Sequence, residues 1–153
     1  MSKRAAFHRR IEDARRIHID PFVIAYHLIG QPPFVDLTRL LFTSIRGGRV
    51  RAQTSALSIY QLLTEPYREG EEGLAERAFK YLTGHPGLEI LPVTAAVSRQ
   101  AAEVQASLGG APERSIQVAT ALLGGAKAYV AHKTALRRIA GMEIISLDDF
   151  AEE

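Results

Sequence analysis

The sequence predicts an α/β protein with a mostly parallel sheet of four or five strands sandwiched between helices. Three observations predict this fold class. Short runs rich in β-branched residues alternate with amphipathic helical segments along the whole chain. Glycine and proline separate most of these segments, and strand–helix–strand alternation gives parallel strands joined by right-handed crossovers. With 153 residues, 46% of them hydrophobic, the chain can bury one substantial core.

The N-terminal segment predicts a basic helix. Within residues 4–16, Phe7 and Ile11 recur at helical spacing and begin an apolar stripe. Residues 1–16 hold six basic and two acidic residues, a net charge of +4, whereas the rest of the chain sums to −2. We therefore divide the chain into a basic helical arm, 1–16, and an α/β domain, 17–153. The stripe is expected to pack on the domain or on a second copy, and the basic face would suit nucleic acid or an acidic partner. A solvated amphipathic helix is the alternative.

The first strand and helix of the domain follow this arm directly. Residues 17–20 alternate β-branched and polar side chains, which predicts a strand. Proline suits the first turn of a helix, so we expect a helix from Pro21 to about Leu28. Residues 35–46 carry apolar side chains at helical spacing and predict a second helix, which Gly47 ends.

The rest of the chain repeats this alternation. A strand at 50–53 leads to Thr54 and Ser55, whose hydroxyl groups are expected to cap a helix that runs to about Glu65, before Pro66. The remaining elements follow from the same periodicities and are a helix at 71–83, a strand at 88–93, a helix from 94 to about 108, a helix from 112 or 113 to 123, a strand at 128–131, a short helix at 133–139 and a strand at 143–146.

Composition and motifs exclude several kinds of site. The chain has no cysteine, so disulfides and thiolate metal sites are excluded and a cytoplasmic location is expected. No apolar run approaches the ~20 residues of a membrane helix, so no membrane partner is expected. Phosphate-loop, dinucleotide-binding, zinc-protease and serine-hydrolase motifs are missing. The five histidines lack ligand spacing, and only His18 is expected to share a face with Asp20, at the strand end where ligands of parallel sheets bind.

Four sequence blocks together resemble one known family. They are IHID at 17–20, TSALSIYQLL at 54–63, the long block at 88–132, in which IQVATAL lies shortly before Gly-Ala and a strand, and MEIISLDDF at 142–150. Their order and spacing resemble the PIN domain family, and more narrowly the VapC-like toxin ribonucleases of bacteria. The resemblance covers residues 17–150 and implies a PIN-like α/β fold.

The resemblance also implies a site of three or four carboxylates that hold Mg²⁺ or Mn²⁺ and cut RNA. Hard divalent ions prefer oxygen ligands, and the bound metal activates water and stabilises the phosphate. The four aligned site positions of this sequence are Asp20, Gln61, Arg114 and Lys133, so one acid of four is kept. With Asp20, Glu113 beside the third position is the other candidate metal ligand.

These replacements reverse the charge of the aligned site. Four carboxylates would carry −4, whereas the four residues present carry +1, which opposes the binding of a divalent cation. The leading interpretation is a degenerate PIN-like domain, catalytically inactive or weak, that acts as a binding or regulatory module without a metal cofactor. The alternative is an active Mg²⁺- or Mn²⁺-dependent ribonuclease of toxin–antitoxin type with a displaced acid set such as Asp20, Glu113 and Glu65. A third interpretation is an antitoxin-bound toxin relic whose surviving function is dimerisation.

Partners follow from the same resemblance. RNA, an antitoxin-like protein and a second copy in a homodimer are the expected ones. A buried carboxylate without a metal needs another partner. We therefore expect Lys133, or failing it Arg114, to place its cation within ~4 Å of the Asp20 carboxylate.

Overall fold

A parallel five-stranded sheet forms the centre of the computed structural model, which describes residues 1–132 and 138–152. The strands lie in the order β3-β2-β1-β4-β5 and every neighbouring pair is parallel. Their bounds are β1 Arg16–Ile19, β2 Arg51–Ser55, β3 Leu88–Leu91, β4 Ala128–Ala131 and β5 Glu143–Ser146. The predicted fold class is confirmed. Because β2 and β4 flank β1 on opposite sides, the chain order reverses there, and ligands of such sheets bind beyond the carboxyl end of that strand.

Helices cover both faces of this sheet. They are α1 Lys3–Ala14, α2 Pro21–Ile29, α3 Val35–Arg46, α4 Leu57–Arg68, α5 Glu72–Gly84, α6 Ala95–Leu108 and α7 Pro112–Leu123. One core contains α1, α2 and α3 against Ile17, Ile19 and Val130, and a second contains α6 and α7 against Tyr129 and Ala131. Adjacent strand residues thus face different cores, as the two-residue repeat of a strand requires. None of the described helices has the length and apolar character that crossing a membrane demands.

The basic N-terminal segment is a helix that packs on the body of the same chain. Phe7 and Ile11 are fully buried in the core that also contains Ile17 and Ile19. The Phe7 ring lies 5.5 Å from the ring of Phe150, near the other end of the chain. The apolar stripe of residues 1–16 is therefore part of the main core.

The predicted cap of α4 is wrong for Thr54. Strand β2 continues to Ser55, so Thr54 lies inside the strand, and Ala56 is the N-terminal flanking residue of α4, without a side-chain cap. Ser55 retains a cap-like contact, since its hydroxyl accepts a hydrogen bond from the Leu57 N–H at 3.0 Å. Pro66 does not end the helix, which continues to Arg68.

Two other boundaries differ from the sequence predictions. Strand β1 ends at Ile19, one residue before Asp20, because Asp20 already begins the next helix. Strand β3 ends at Leu91, since Pro92 has no N–H to donate to a neighbouring strand. The predicted short helix at 133–139 falls mostly on residues 133–137, which lie outside the described residues.

Candidate functional site

Asp20 lies at the carboxyl end of β1, where the strand order reverses. Its Oδ1 accepts a hydrogen bond from the Phe22 N–H at 2.9 Å, which makes the side chain the N-cap of α2. Its Oδ2 accepts a hydrogen bond from the Tyr129 hydroxyl at 2.7 Å. Burial raises the pKa of Asp20, while these two hydrogen bonds and the charge of Arg114 oppose the rise. Both carboxylate oxygens are therefore already held by neutral donors.

A cavity of about 360 Å³ opens beside Asp20. It brings Asp20, Gln61 and Arg114, three of the four aligned positions, into one site with Glu113. Lys133, the fourth, lies outside the described residues. The remaining described lining is largely aromatic and apolar, with two polar residues, and consists of Phe22, Tyr26, Ala111, Gln117, Tyr129, Ala131 and His132.

The expected contact between Asp20 and Arg114 is not formed. Among residues 1–132 and 138–152, no basic side chain forms an ion pair with Asp20 within 4.0 Å. The Tyr129 hydroxyl and the Phe22 N–H occupy the carboxylate instead, so Arg114 acts on it only at longer range. The expectation for Lys133 concerns a residue that the structure does not describe.

The displaced acid set is not assembled in this cavity. Asp20 and Glu113 both line it, but Glu65 does not. Glu65 instead pairs with Arg68 on the exposed surface of α4. One turn of helix separates Glu65 from Gln61, and that turn carries its carboxylate away from the cavity.

A hydrogen-bond network centred on Gln117 begins in the cavity lining, where Gln117 and Gln61 lie, and extends into the protein below it. The His18 Nε2–H donates to Gln117 Oε1 at 2.8 Å. The Gln117 amide in turn donates through Nε2 to Ser58 Oγ and to Gln61 Oε1, both at 2.9 Å. Because the amide nitrogen serves two acceptors, its oxygen must accept, so His18 carries its proton on Nε2. The side-chain oxygen of Gln61 therefore accepts one hydrogen bond from within the protein.

The network ends on the backbone next to Asp20. The Ser58 hydroxyl donates to Thr54 Oγ1 at 2.6 Å, and the Thr54 hydroxyl donates to the Ile19 carbonyl at 2.7 Å. The Thr54 hydroxyl thus joins β2 to β1 at the strand ends. This contact explains why it does not cap α4.

His18 is fully buried in this network and electrically neutral. Its ring stacks on that of Tyr129, with centroids 5.2 Å apart. Burial lowers the pKa of His18 to about 4, although the hydrogen bond to Gln117 acts in the opposite direction. Its Nδ1 has no hydrogen-bond partner in the described part of the chain. His18 therefore supports the floor of the cavity and does not line it.

Sequence reasoning missed Gln117, Ser58 and Tyr129. A signal for Gln117 was available, because it follows Arg114 by one turn of α7 and faces the same way. Tyr129 carried no such signal, since its strand contains only apolar neighbours. Its role depends on the pairing of β4 with β1, which places Tyr129 opposite His18.

Aromatic side chains form one wall of the cavity. The His132 ring packs edge-on against Tyr26 and Phe34, with centroids 4.6 and 4.7 Å apart. Its Nδ1 lies 3.5 Å from an oxygen of Asp148. Phe22, at the first turn of α2, is 61% exposed and offers a flat apolar surface at the rim.

The described residues of the cavity fit a divalent metal ion poorly. Only Asp20 and Glu113 among them are carboxylates, and no three acidic or histidine side chains of the described chain lie together as a metal site would need. Both oxygens of Asp20 and the side-chain oxygen of Gln61 each accept one hydrogen bond within the protein, which leaves one lone pair on each. Arg114 adds a positive charge where a metal would require negative charge.

Comparisons with known proteins reveal the fold. No family model and no curated protein matches the sequence. A chain of VapBC2 from Rickettsia felis, solved bound to a DNA fragment from its promoter, is similar in structure with a TM-score of 0.69 and 12% identity, over 86% of this chain and 98% of that one. A chain of a toxin–antitoxin complex from Klebsiella pneumoniae has a TM-score of 0.61 and 11% identity, over 86% and 97% of the two chains. These similarities show a PIN-like fold.

Proposed function

We propose that this chain is a PIN-like domain that does not cut RNA and acts as a binding module through the Asp20 cavity. One observation carries the proposal: the Asp20 carboxylate is held by Tyr129 and the Phe22 N–H, in a cavity that also contains Arg114. A metal-dependent nuclease needs carboxylate oxygens that are open to the metal and a negative site that attracts it. Here each Asp20 oxygen accepts one hydrogen bond and keeps a second lone pair, so the shortage of acids and the positive charge of Arg114 are what oppose a metal most.

RNA is the ligand that the cavity chemistry favours. A guanidinium such as that of Arg114 recognises phosphate oxygens through paired hydrogen bonds. An exposed aromatic ring such as Phe22 provides a stacking surface for an unpaired base, at about 1–3 kcal/mol per base. Single-stranded RNA fits both features, because its phosphates and its base faces are accessible together.

Manganese binding and RNA cleavage test the loss of catalysis. We expect millimolar Mn²⁺ to leave the melting temperature of the natural protein unchanged and to support no cleavage that depends on Asp20. If free Mn²⁺ were present at 100 times the Kd of such a site, its binding would stabilise the fold by about 2.7 kcal/mol. For a chain of this size, that corresponds to a rise of roughly 5–11 °C in melting temperature. The combined change Gln61→Glu, Arg114→Asp and Lys133→Asp, which restores the aligned acids, is expected to show such a rise.

The same experiment decides on the alternative function. An Mn²⁺- or Mg²⁺-dependent ribonuclease is favoured by one observation, that Asp20 and Glu113 share the cavity. If Mn²⁺ raises the melting temperature of the natural protein, and Asp20→Asn abolishes both that rise and RNA cleavage, the non-cutting proposal is wrong. Asp20→Asn is a suitable control because asparagine also caps helices well.

RNA binding is tested separately from cleavage. We expect a fluorescent single-stranded RNA to bind the natural protein, with affinity that falls as salt rises. Arg114→Gln should weaken this binding, and Arg99→Gln, a matched change on the exposed surface of α6, should not. Equal affinities for both variants would remove the cavity from the proposed function.

The structural neighbours also favour a protein partner. Both similar chains come from complexes described as VapBC2 or toxin–antitoxin, so an antitoxin-like protein belongs to the proposal. The homodimer is part of the proposal as an expectation from the sequence alone. Light scattering on the purified chain tests the homodimer, and a mass near that of the 16.8 kDa monomer would exclude it. Co-purification from the native host with a small partner protein tests the antitoxin-like partner.

A further inference from the structure

A second cavity lies near the other end of α2, between α2, α3 and α5. Its volume is about 270 Å³. His27, which lines it, follows Asp20 by seven residues, about 10 Å along the helix axis. No acidic residue of the described chain lines this cavity. Its basic and hydrogen-bonding residues are His27, Arg39, Thr43, Arg46, Tyr81 and His85.

Two arginines of α3 flank the opening. Arg39 and Arg46 are seven residues apart, so two turns of helix place them on the same side. Both are exposed, and within residues 1–132 and 138–152 neither has a carboxylate within 4.0 Å. Two guanidinium groups thus face one small cavity without a neutralising anion from the described protein.

The hydrogen bonds of His27 define which of its ring nitrogens carries the proton. The Thr38 hydroxyl donates to a backbone carbonyl of α3, so it accepts from the His27 Nδ1–H, at 3.3 Å. His27 Nε2 then accepts from the Tyr81 hydroxyl at 2.9 Å. The ring stacks on buried Phe42, with centroids 4.3 Å apart. If His27 becomes protonated, its Nε2–H donates to the Tyr81 oxygen, and the Tyr81 hydroxyl can donate to a ligand.

His85 is arranged in a similar way. Its Nδ1–H donates to the Pro86 carbonyl at 2.9 Å, so its Nε2 is the unprotonated nitrogen. The His85 ring lies 5.2 Å from Tyr81 and 5.4 Å from Phe42. Both histidines are neutral as the protein stands. On taking up one proton, His85 gains an Nε2–H that can donate to an anion, whereas protonated His27 donates to Tyr81 and so frees the Tyr81 hydroxyl to donate to the anion.

We propose that this cavity binds a phosphate group. Arg39 and Arg46 supply paired donors that match phosphate oxygens, and Tyr81 and His85 supply further donors from the opposite wall. The volume is just below the ~300 Å³ at which pockets for drug-sized ligands begin, which suits a phosphate or a small phosphorylated group. The phosphate can come from a small molecule with a terminal phosphate or from an RNA backbone. The proposal does not depend on the function of the Asp20 cavity.

Proton uptake should accompany binding. Burial first, and then His85 and Arg39, lower the pKa of His27 to about 4. Burial and Arg46 lower the pKa of His85, although its bond to Pro86 opposes this. A bound dianion cancels the effect of the neighbouring positive charges and raises both pKa values. By linkage, the affinity for the dianion itself, corrected for the fraction of free phosphate that is dianionic at each pH, should be higher at pH 6 than at pH 8.

Inorganic phosphate is the first probe. Its addition to the full chain should shift the imidazole proton resonances of His27 and His85, assigned with single variants, and leave those of His18 in place. Arg39→Gln and Arg46→Gln should each weaken phosphate binding at least about tenfold, as the loss of a charge-assisted hydrogen bond does. Arg99→Gln removes the same charge on the other face of the sheet and should change it less than about twofold. The arginines are exposed, so circular dichroism should show folded variants.

Two RNA octamers, one with and one without a 5′-phosphate, distinguish the possible sources of the bound phosphate group. Displacement of inorganic phosphate by the phosphorylated octamer alone indicates a terminal phosphate, and displacement by both indicates the backbone. Displacement by neither, with phosphate still bound, indicates a small molecule. The proposal fails if 10 mM phosphate does not shift His27 and His85, or if the variant with both arginines replaced binds as the natural protein does.

Discussion

Replacing Gln117 with leucine should destabilise the fold through the network below the Asp20 cavity. Gln117 makes hydrogen bonds to His18, Ser58 and Gln61 at 2.8–2.9 Å. The first two partners are fully buried, so water cannot replace the lost bonds, whereas Gln61 is only half-buried. A buried polar group left unsatisfied costs about 1–3 kcal/mol. We expect Gln117→Leu to lose about 2–4 kcal/mol in total, or roughly 4–16 °C in melting temperature.

Urea unfolding followed by circular dichroism measures this loss. Gln100→Leu on α6 is the control, because Gln100 makes no side-chain hydrogen bond to the described residues, and a change within about 0.5 kcal/mol is expected. The variant with both His18→Leu and Gln117→Leu should be more stable than the sum of the single losses predicts, since replacing both partners leaves fewer unpaired groups. A loss below about 1 kcal/mol for Gln117→Leu, or strictly additive losses, would refute the network as a stabilising unit.

Two further predictions concern acid stability and the N-terminal helix. Between pH 6.5 and about 4, the unfolded chain binds a proton at His18 that the folded chain does not, so the free energy of unfolding should fall by about 3 kcal/mol as the pH drops through this range. His27 acts in the same direction. The free energy of unfolding of His18→Leu should depend less steeply on pH, and its difference from that of the natural protein gives the part due to His18. Phe7→Ala should cost about 3–5 kcal/mol in urea unfolding, because Phe7 is fully buried; a cost below 1 kcal/mol would mean that α1 is a dispensable arm.

The periodicity of the sequence determined most of the elements. The bounds of α3, α7, β4 and β5 in the structure are those that the residue pattern predicts. Each of these segments is bordered by glycine or proline or has strong amphipathic spacing, so local interactions are enough to define it. The parallel sheet follows as well, because alternating strands and helices leave few other connections.

The sequence pattern gave a wrong prediction where a side chain has two possible hydrogen-bond partners, one near in the chain and one distant. The Thr54 hydroxyl could cap a helix or join two strands, and the sequence around it suits both. In the structure it bonds to the Ile19 carbonyl, 35 residues away in the chain. Only the pairing of β1 with β2 brings that carbonyl within reach.

For the candidate site too, one part could be predicted from the sequence and another part depends on the tertiary structure. The positions of Asp20, Gln61 and Arg114 were predicted from the sequence blocks, and parallel strands bring their carboxyl ends to one edge, where these side chains line one cavity. What each side chain touches was decided by tertiary structure. Asp20 meets the Tyr129 hydroxyl because β4 lies beside β1, and Gln61 meets Gln117 because α7 packs over β2 next to α4. Hydrogen-bond partners depend on ångström-scale placement between distant segments, which a residue pattern does not contain.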